Sequence, residues 1–192
     1  MAIKEFDGGL PSDHEVTIGI DQSLTGFALS VVSVDSPNLH KTWVFKSQYK
    51  GVQRLDDIVA WMYGILDSLG KSNIVNIAME GTVLQSHASS MLGELAGVVK
   101  LALFSYFDSI DPTNALPLQI PPMTLKKYAT GKGTAKKQEM LLQIYKRWGV
   151  EFNDDNAADA YALARLAADV YRGEEGELVD KIKDGAYRDL VQ

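Results

Sequence analysis

The sequence predicts an α/β domain built on a mixed five-stranded sheet with helices on both faces. Three observations lead there. Two strand-like runs follow Val16–Asp21 in quick succession, with connections short enough for antiparallel hairpins. Ile74–Glu80 is an almost unbroken apolar run, the composition of a strand buried on both faces. Stretches with helical spacing then alternate with short apolar runs, as right-handed crossovers between parallel strands require.

Taken in order, residues 1–15 are mostly polar, carry Gly8-Gly9 and Pro11, and read as a loose arm. Val16–Asp21 is the first strand, and the polar turn Gln22–Gly26 leads into a second over Phe27–Asp35. Ser36-Pro37-Asn38 breaks the chain before a third strand around Trp43 and Phe45, Lys41–Ser47. Gln53–Leu69 places Leu55, Ile58, Val59, Met62, Ile65, Leu66 and Leu69 on one helical face, and Gly70 ends it. After Ile74–Glu80, a helix is predicted over Ser86–Phe107. Its Ala88, Ser89, Ser90, Gly93, Ala96 and Gly97 form a small-residue side that admits a close neighbour. Leu116–Ile120 is a short strand, Met123–Ala129 a short helix, Thr130–Thr134 a glycine-containing loop, and Ala135–Trp148 and Asn156–Tyr171 are helices. Residues 16–172 thus make one domain, and 173–192 read as a peripheral appendage.

At 192 residues, 46% hydrophobic and 23% charged, the chain has the make-up of an ordinary globular domain with a sizeable core. No unbroken apolar run approaches 18 residues, so no membrane span is expected. The N-terminus has no apolar signal core, so no secretion is expected. The absence of cysteine excludes disulfides and thiolate metal sites, and His14, His40 and His87 are too scattered to suggest zinc. The net charge of −6 argues against a general affinity for nucleic acid, but its distribution argues otherwise. Between Pro121 and Val150 seven basic residues (Lys126, Lys127, Lys132, Lys136, Lys137, Lys146, Arg147) face a single acid, Glu139.

Three carboxylate stations stand out. Asp21 ends the first strand, Glu80 ends the buried strand, and Asp154-Asp155-Asn156-Ala157-Ala158-Asp159 opens the last helix. Hydrolysis of a phosphodiester by two metal ions needs such a set of hard oxygen ligands, and Mg²⁺ prefers carboxylates. Asp155 lies four residues before Asp159 and Asn156 three, so either can share its helical face. Each station also has a plainer role: strand-end acids serve turns, and Asp154 suits a helix N-cap. Asp159 resists that reading, because it sits among alanines where an uncompensated carboxylate is costly. Five lysines within the twelve residues 126–137 (Lys126, Lys127, Lys132, Lys136, Lys137), around Gly131 and Gly133, suit contact with a phosphate backbone. The glycine loop lacks the spacing of a Walker motif.

Gly19-Ile20-Asp21-Gln22-Ser23-Leu24-Thr25-Gly26, Ala78-Met79-Glu80-Gly81, the lysine-rich run and Asn156-Ala157-Ala158-Asp159-Ala160, in that order, resemble the RuvC family of Holliday-junction resolvases, most of all its divergent phage members. The resemblance spans about residues 16–170. It implies an RNase H-like fold and a cytoplasmic enzyme of a bacterium or a phage-infected cell. It further implies a homodimer that uses two Mg²⁺ ions per site, with Mn²⁺ able to substitute. Such an enzyme nicks opposed strands of four-way DNA, leaving 5′-phosphate and 3′-hydroxyl ends. Asp21, Glu80 and Asp159 match three of the family's acidic ligands. The fourth falls in register on Asn156, with Asp155, the preferred candidate, one residue earlier. Lys126 and Lys137 match lysines near the cut phosphate, and the Ser86–Phe107 helix would help form the dimer. The stretch after Glu80 lacks the aromatic wedge of bacterial members and offers Leu84 instead, which widens the expected substrates to other branched DNA. Two other readings compete: a non-catalytic branched-DNA-binding protein of the same fold, and a nucleotide-binding ATPase of the actin type. The latter shares an Asp-x-x-Thr-Gly-like turn but normally needs two duplicated domains.

Overall fold

A computed structural model describes residues 1–10, 14–81, 87–107, 116–174 and 180. Leu84 and most of 173–192 lie outside the described residues. The strands are β1 (Ala2–Asp7), β2 (Val16–Asp21), β3 (Phe27–Ser33), β4 (His40–Lys46), β5 (Ile74–Glu80) and β6 (Leu118–Ile120). The helices are α1 (Gly51–Leu69), α2 (His87–Phe107), α3 (Pro122–Thr130), α4 (Lys137–Trp148) and α5 (Asp155–Arg172). The strands form one mixed sheet in the order β1-β4-β3-β2-β5-β6. The first four pair antiparallel, while β5 runs parallel to β2 and β6 parallel to β5.

The sheet has six strands, not five. The extra one is β1, which falls within the segment read as a loose arm. It pairs with β4 from Ala2↔Lys46 to Asp7↔Lys41 and is mostly exposed. An edge strand of this kind is held by its ladder and by rim contacts, here Lys41 to Glu5 at 2.9 Å and Trp43 Nε1 donating to Glu5 at 3.1 Å. It buries little apolar surface, so its sequence carries no hydrophobic alternation to read.

Alternation along the strands divides the core in two. Val16, Ile18 and Ile20 of β2, Phe27, Leu29 and Val31 of β3 and Ile77 and Met79 of β5 face α1 and α2. Ala28, Val44 and Ala78 face the opposite layer of α3, α4 and α5. On that second face β2 presents Thr17, Gly19 and Asp21, and α5 approaches it with an almost continuous series of buried alanines. The approach is close. A Cβ on Gly19 would lie 2.0 Å from the Ala160 carbonyl oxygen and 2.3 Å from the Ala164 nitrogen. Thr17 Oγ1 donates to the Ala164 carbonyl at 2.7 Å and Asn76 Nδ2 to that of Ala167 at 3.0 Å, tying β2 and β5 to the helix.

The small-residue contact expected of α2 is therefore made by α5. On α2 Ala96 and Ala102 are buried, but beside larger Leu95, Val99 and Leu103; Cβ atoms on Gly93 and Gly97 would meet open space, and Ser86 and the side chains of Ala88 and Ser89 lie outside the described residues. Ser90–Phe107 also qualifies, by length and composition alone, as long and apolar enough to cross a membrane, with a third of it buried in the structure. Glu94 and Lys100 interrupt it, so the sequence holds no unbroken apolar run there.

Candidate active site

Period-two alternation delivers Asp21 to its place. It follows Thr17 and Gly19 on the face turned to α5, at the C-terminal end of β2. β5 is its parallel neighbour, with Gly19 opposite Ala78 and Ile20 opposite Met79, so Glu80 ends one strand beside Asp21 on the other. Ala78 and Asn76 also face α5, which puts Glu80 on the same side.

The third side of the site is the start of α5. Asp154 caps this helix, its carboxylate accepting from the backbone N–H of Asn156 at 3.1 Å and of Ala157 at 3.3 Å, a contact that contributes about 1 kcal/mol. The cap fixes where the helix begins. Asp155 and Asp159, one turn apart, then face the strand ends. α3 brings Lys126 to the cleft, and the first residue of α4 is Lys137. Together Asp21, Glu80, Asp155, Asn156, Asp159, Lys126 and Lys137 line one open cleft of about 440 Å³, with Gln22, Ser23, Leu24, Thr25, Leu92 and Pro122.

The electrostatics are those of crowded carboxylates. Burial, then the charges of Glu80 and Asp159, hold the Asp21 carboxyl well above the usual range. A side-chain hydrogen bond links Asp21 with Glu80 and adds to the rise at Asp21. Burial raises Glu80 too, though this bond and Lys126 oppose the rise. Asp159 is pushed up to about 7, first by burial and then by Glu80 and Asp155. Asp155 goes the other way, because it accepts a hydrogen bond from Lys137, which lowers the carboxyl and raises the amine.

A divalent cation fits this donor set chemically, since hard carboxylate oxygens that repel one another are what Mg²⁺ binds. As they stand, no three His, Cys, Asp or Glu side chains among the described residues are drawn together tightly enough to hold a metal ion. Two contacts relieve the repulsion instead: the hydrogen bond shared by Asp21 and Glu80, and Lys137 on Asp155. Asn156, the alternative fourth ligand, also lines the cleft, and its amide packs on Gly26, where a Cβ would come within 2.7 Å of Nδ2.

The other lysines divide by position. Lys127, one residue beyond Lys126, turns away and lines a separate pocket with Tyr128, Thr130, Gly131 and Arg147. Lys132 pairs with Glu139 at 3.5 Å, and Lys136 is exposed at the N-cap of α4. The sequence places Gln22 in the turn and motif after Asp21 but suggests no role for it. It is 6% exposed, and its Nε2 donates to the Glu80 carbonyl at 2.6 Å. The signal available was a long polar side chain directly after a strand-end aspartate.

No protein-family model matches the sequence, and no curated protein matches it. Solved structures do match. The Thermus thermophilus RuvC structure aligns with a TM-score of 0.60 and 24% identity, covering 82% of this chain and 96% of that one. T. thermophilus RuvC in complex with a Holliday junction substrate aligns with a TM-score of 0.61 and 24% identity, covering 83% and 95%. The chain has the RNase H-like fold of these structures.

Proposed function

We propose that the protein is a metal-dependent endonuclease that cuts four-way and other branched DNA by paired nicks, acting as a homodimer. The observation that carries this reading is the meeting of Asp21, Glu80, Asp155 and Asp159 with Lys126 and Lys137 in one cleft of an RNase H-like fold. The likeness to a RuvC solved with a Holliday junction substrate supports the substrate class.

Asp21, Glu80, Asp155 and Asp159 would hold two Mg²⁺ ions, or Mn²⁺ in their place, which supply Lewis acidity to activate water and neutralise charge on the scissile phosphate. Asp21 would be the central ligand, since its strand lies beside that of Glu80 and is the one α5 packs against. Lys126 already faces Glu80 and Asp159 electrostatically, and it is placed to balance charge at the phosphate. Lys137 exchanges Asp155 for the phosphate when DNA enters, freeing Asp155 as a ligand. Lys127, Lys132 and Lys136 hold the backbone outside the cleft, where such contacts position the duplex without reading its sequence.

The dimer is assigned to the outer face of α2, where Met91 (53% exposed), Leu101 (65%) and Phe104 (39%) form an apolar stripe. A two-fold dimer matches the two-fold symmetry of a four-way junction and sets two sites on opposed strands.

One observation favours a second reading, a branched-DNA-binding protein without catalysis: the carboxylates do not close into a metal-ligating group among the described residues. Cleavage of an end-labelled synthetic four-way junction in Mg²⁺ separates the two. The expected result is paired symmetric nicks with 5′-phosphate ends, reduced at least about 100-fold by Asp21→Asn. Junction binding with no cutting by either protein would establish the second reading.

A further inference from the structure

The parallel ladder between β2 and β5 stops at Ile20 and Met79, one residue short of the carboxylates. Gln22 carries it one rung further through its side chain, with Nε2 donating to the Glu80 carbonyl at 2.6 Å. This bond also fixes which way the amide points. A flipped amide would set oxygen against oxygen. Oε1 is therefore the free end, and it is fully buried with no hydrogen-bond partner among the described residues. Gln22 lines the cleft beside Asp21 and Glu80.

A buried amide oxygen without a donor has given up water for nothing in return. Its carboxylate neighbours are acceptors once ionised, and they cannot satisfy it. Lys137 is engaged by Asp155, and Lys126 is drawn to Glu80 and Asp159. Nothing among the described residues supplies the partner, and a hydrated cation entering the cleft would.

We propose that Gln22 is a positioning residue for the divalent cation. Its Nε2 locks the two carboxylate-bearing strand ends in register, and its Oε1 accepts from the hydrated cation. The inference rests on the metal-dependent reading above. It adds a neutral amide to a set otherwise made of carboxylates. It also explains why the residue after Asp21 is long enough to reach across to the next strand.

The test is Mn²⁺ binding measured by calorimetry on the full chain at neutral pH, with folding followed by circular-dichroism melts. Gln22→Met removes donor and acceptor at nearly constant shape. Gln22→Glu removes the Nε2 strut and keeps an oxygen acceptor. The expected pattern is a loss of affinity of roughly 10-fold or more for Gln22→Met, the scale of groups that support metal ligands, with Gln22→Glu as tight as wild type or tighter. Equal losses in both variants would mean that only the strut matters, and wild-type affinity in Gln22→Met would remove any role; either result overturns the proposal. Should the Met variant fail to fold, Gln22→Asn, which withdraws both amide atoms by one methylene, is expected to show the same loss. Absence of binding by wild type, with Asp21→Asn indistinguishable from it, would overturn the metal reading itself and this inference with it. Mn²⁺ binding abolished by Asp21→Asn but untouched at Gln22 would leave that reading standing and sink this one.

Discussion

Asp159 shows how one side chain reports on the whole cleft. Its carboxyl is held up to about 7, against 3.8 in an unfolded chain, by burial and by Glu80 and Asp155. Between those two values the folded protein binds a proton that the unfolded chain has released. Its contribution to stability is thus complete below about pH 4, falls as pH rises through 7, and is level above. The ceiling on this effect is about 4 kcal/mol. Asp159→Asn removes the dependence. In EDTA, urea melts are expected to show the variant more stable than wild type at pH 8 by about 1–3 kcal/mol, with the gap closing toward pH 4. His40, buried neutral and lowered to about 4, has the opposite slope between 4 and 6.5, but it is common to both proteins and cancels in the comparison. A gap that stays constant with pH would mean that Asp159 does not carry the repulsion assigned to it.

At the scale of elements, the contact that matters most is α5 on β2. Helix and strand meet backbone to backbone only because Gly19 faces Ala160 and Ala164. Gly19→Ala puts a methyl where the Ala160 carbonyl oxygen stands, 2.0 Å away, so the helix must retreat. The expected cost is about 3 kcal/mol or more, read from the midpoint of chemical denaturation. The same retreat carries Asp159 away from Asp21, so any folded fraction is expected to bind Mn²⁺ more weakly as well. A Gly19→Ala protein of wild-type stability would show that the layer is looser than this geometry requires. Packing and chemistry share one element here, because the alanines that let α5 approach are what bring its carboxylates to the strand ends.

Across the whole molecule, an acidic chain presents its one basic segment, α3 and α4, beside its carboxylate cleft. Lys126 and Lys137 enter the cleft, while Lys127 opens onto the pocket with Arg147, so α3 offers charge on two sides. The apolar stripe of α2 is the surface on which the dimer is proposed. Leu101→Glu places a charge in that stripe and leaves the buried face of α2 intact. Sedimentation is expected to show a folded monomer, and junction cleavage is expected to change from paired to unpaired nicks. A dimer that survives the substitution would move the interface elsewhere.

What the sequence determined by itself was local. Alternation in Val16–Asp21 and the apolar run Ile74–Glu80 marked two strands to the residue, and the acid at each end lines the cleft. Asp154 was legible as a cap because capping depends on the next three residues alone. Tertiary structure decided what depends on partners distant in the chain. It decided that β1 is a strand, since an exposed edge is stabilised by its neighbour's ladder and leaves no apolar pattern of its own. It gave the close approach to α5 rather than α2, since small residues permit a tight contact but do not choose it. It joined Lys137 to Asp155 and sorted Lys126 from Lys127, which a count of lysines cannot do. And it left Gln22 with one bonded end and one free, because hydrogen-bond satisfaction is a property of the folded surroundings and not of the residue.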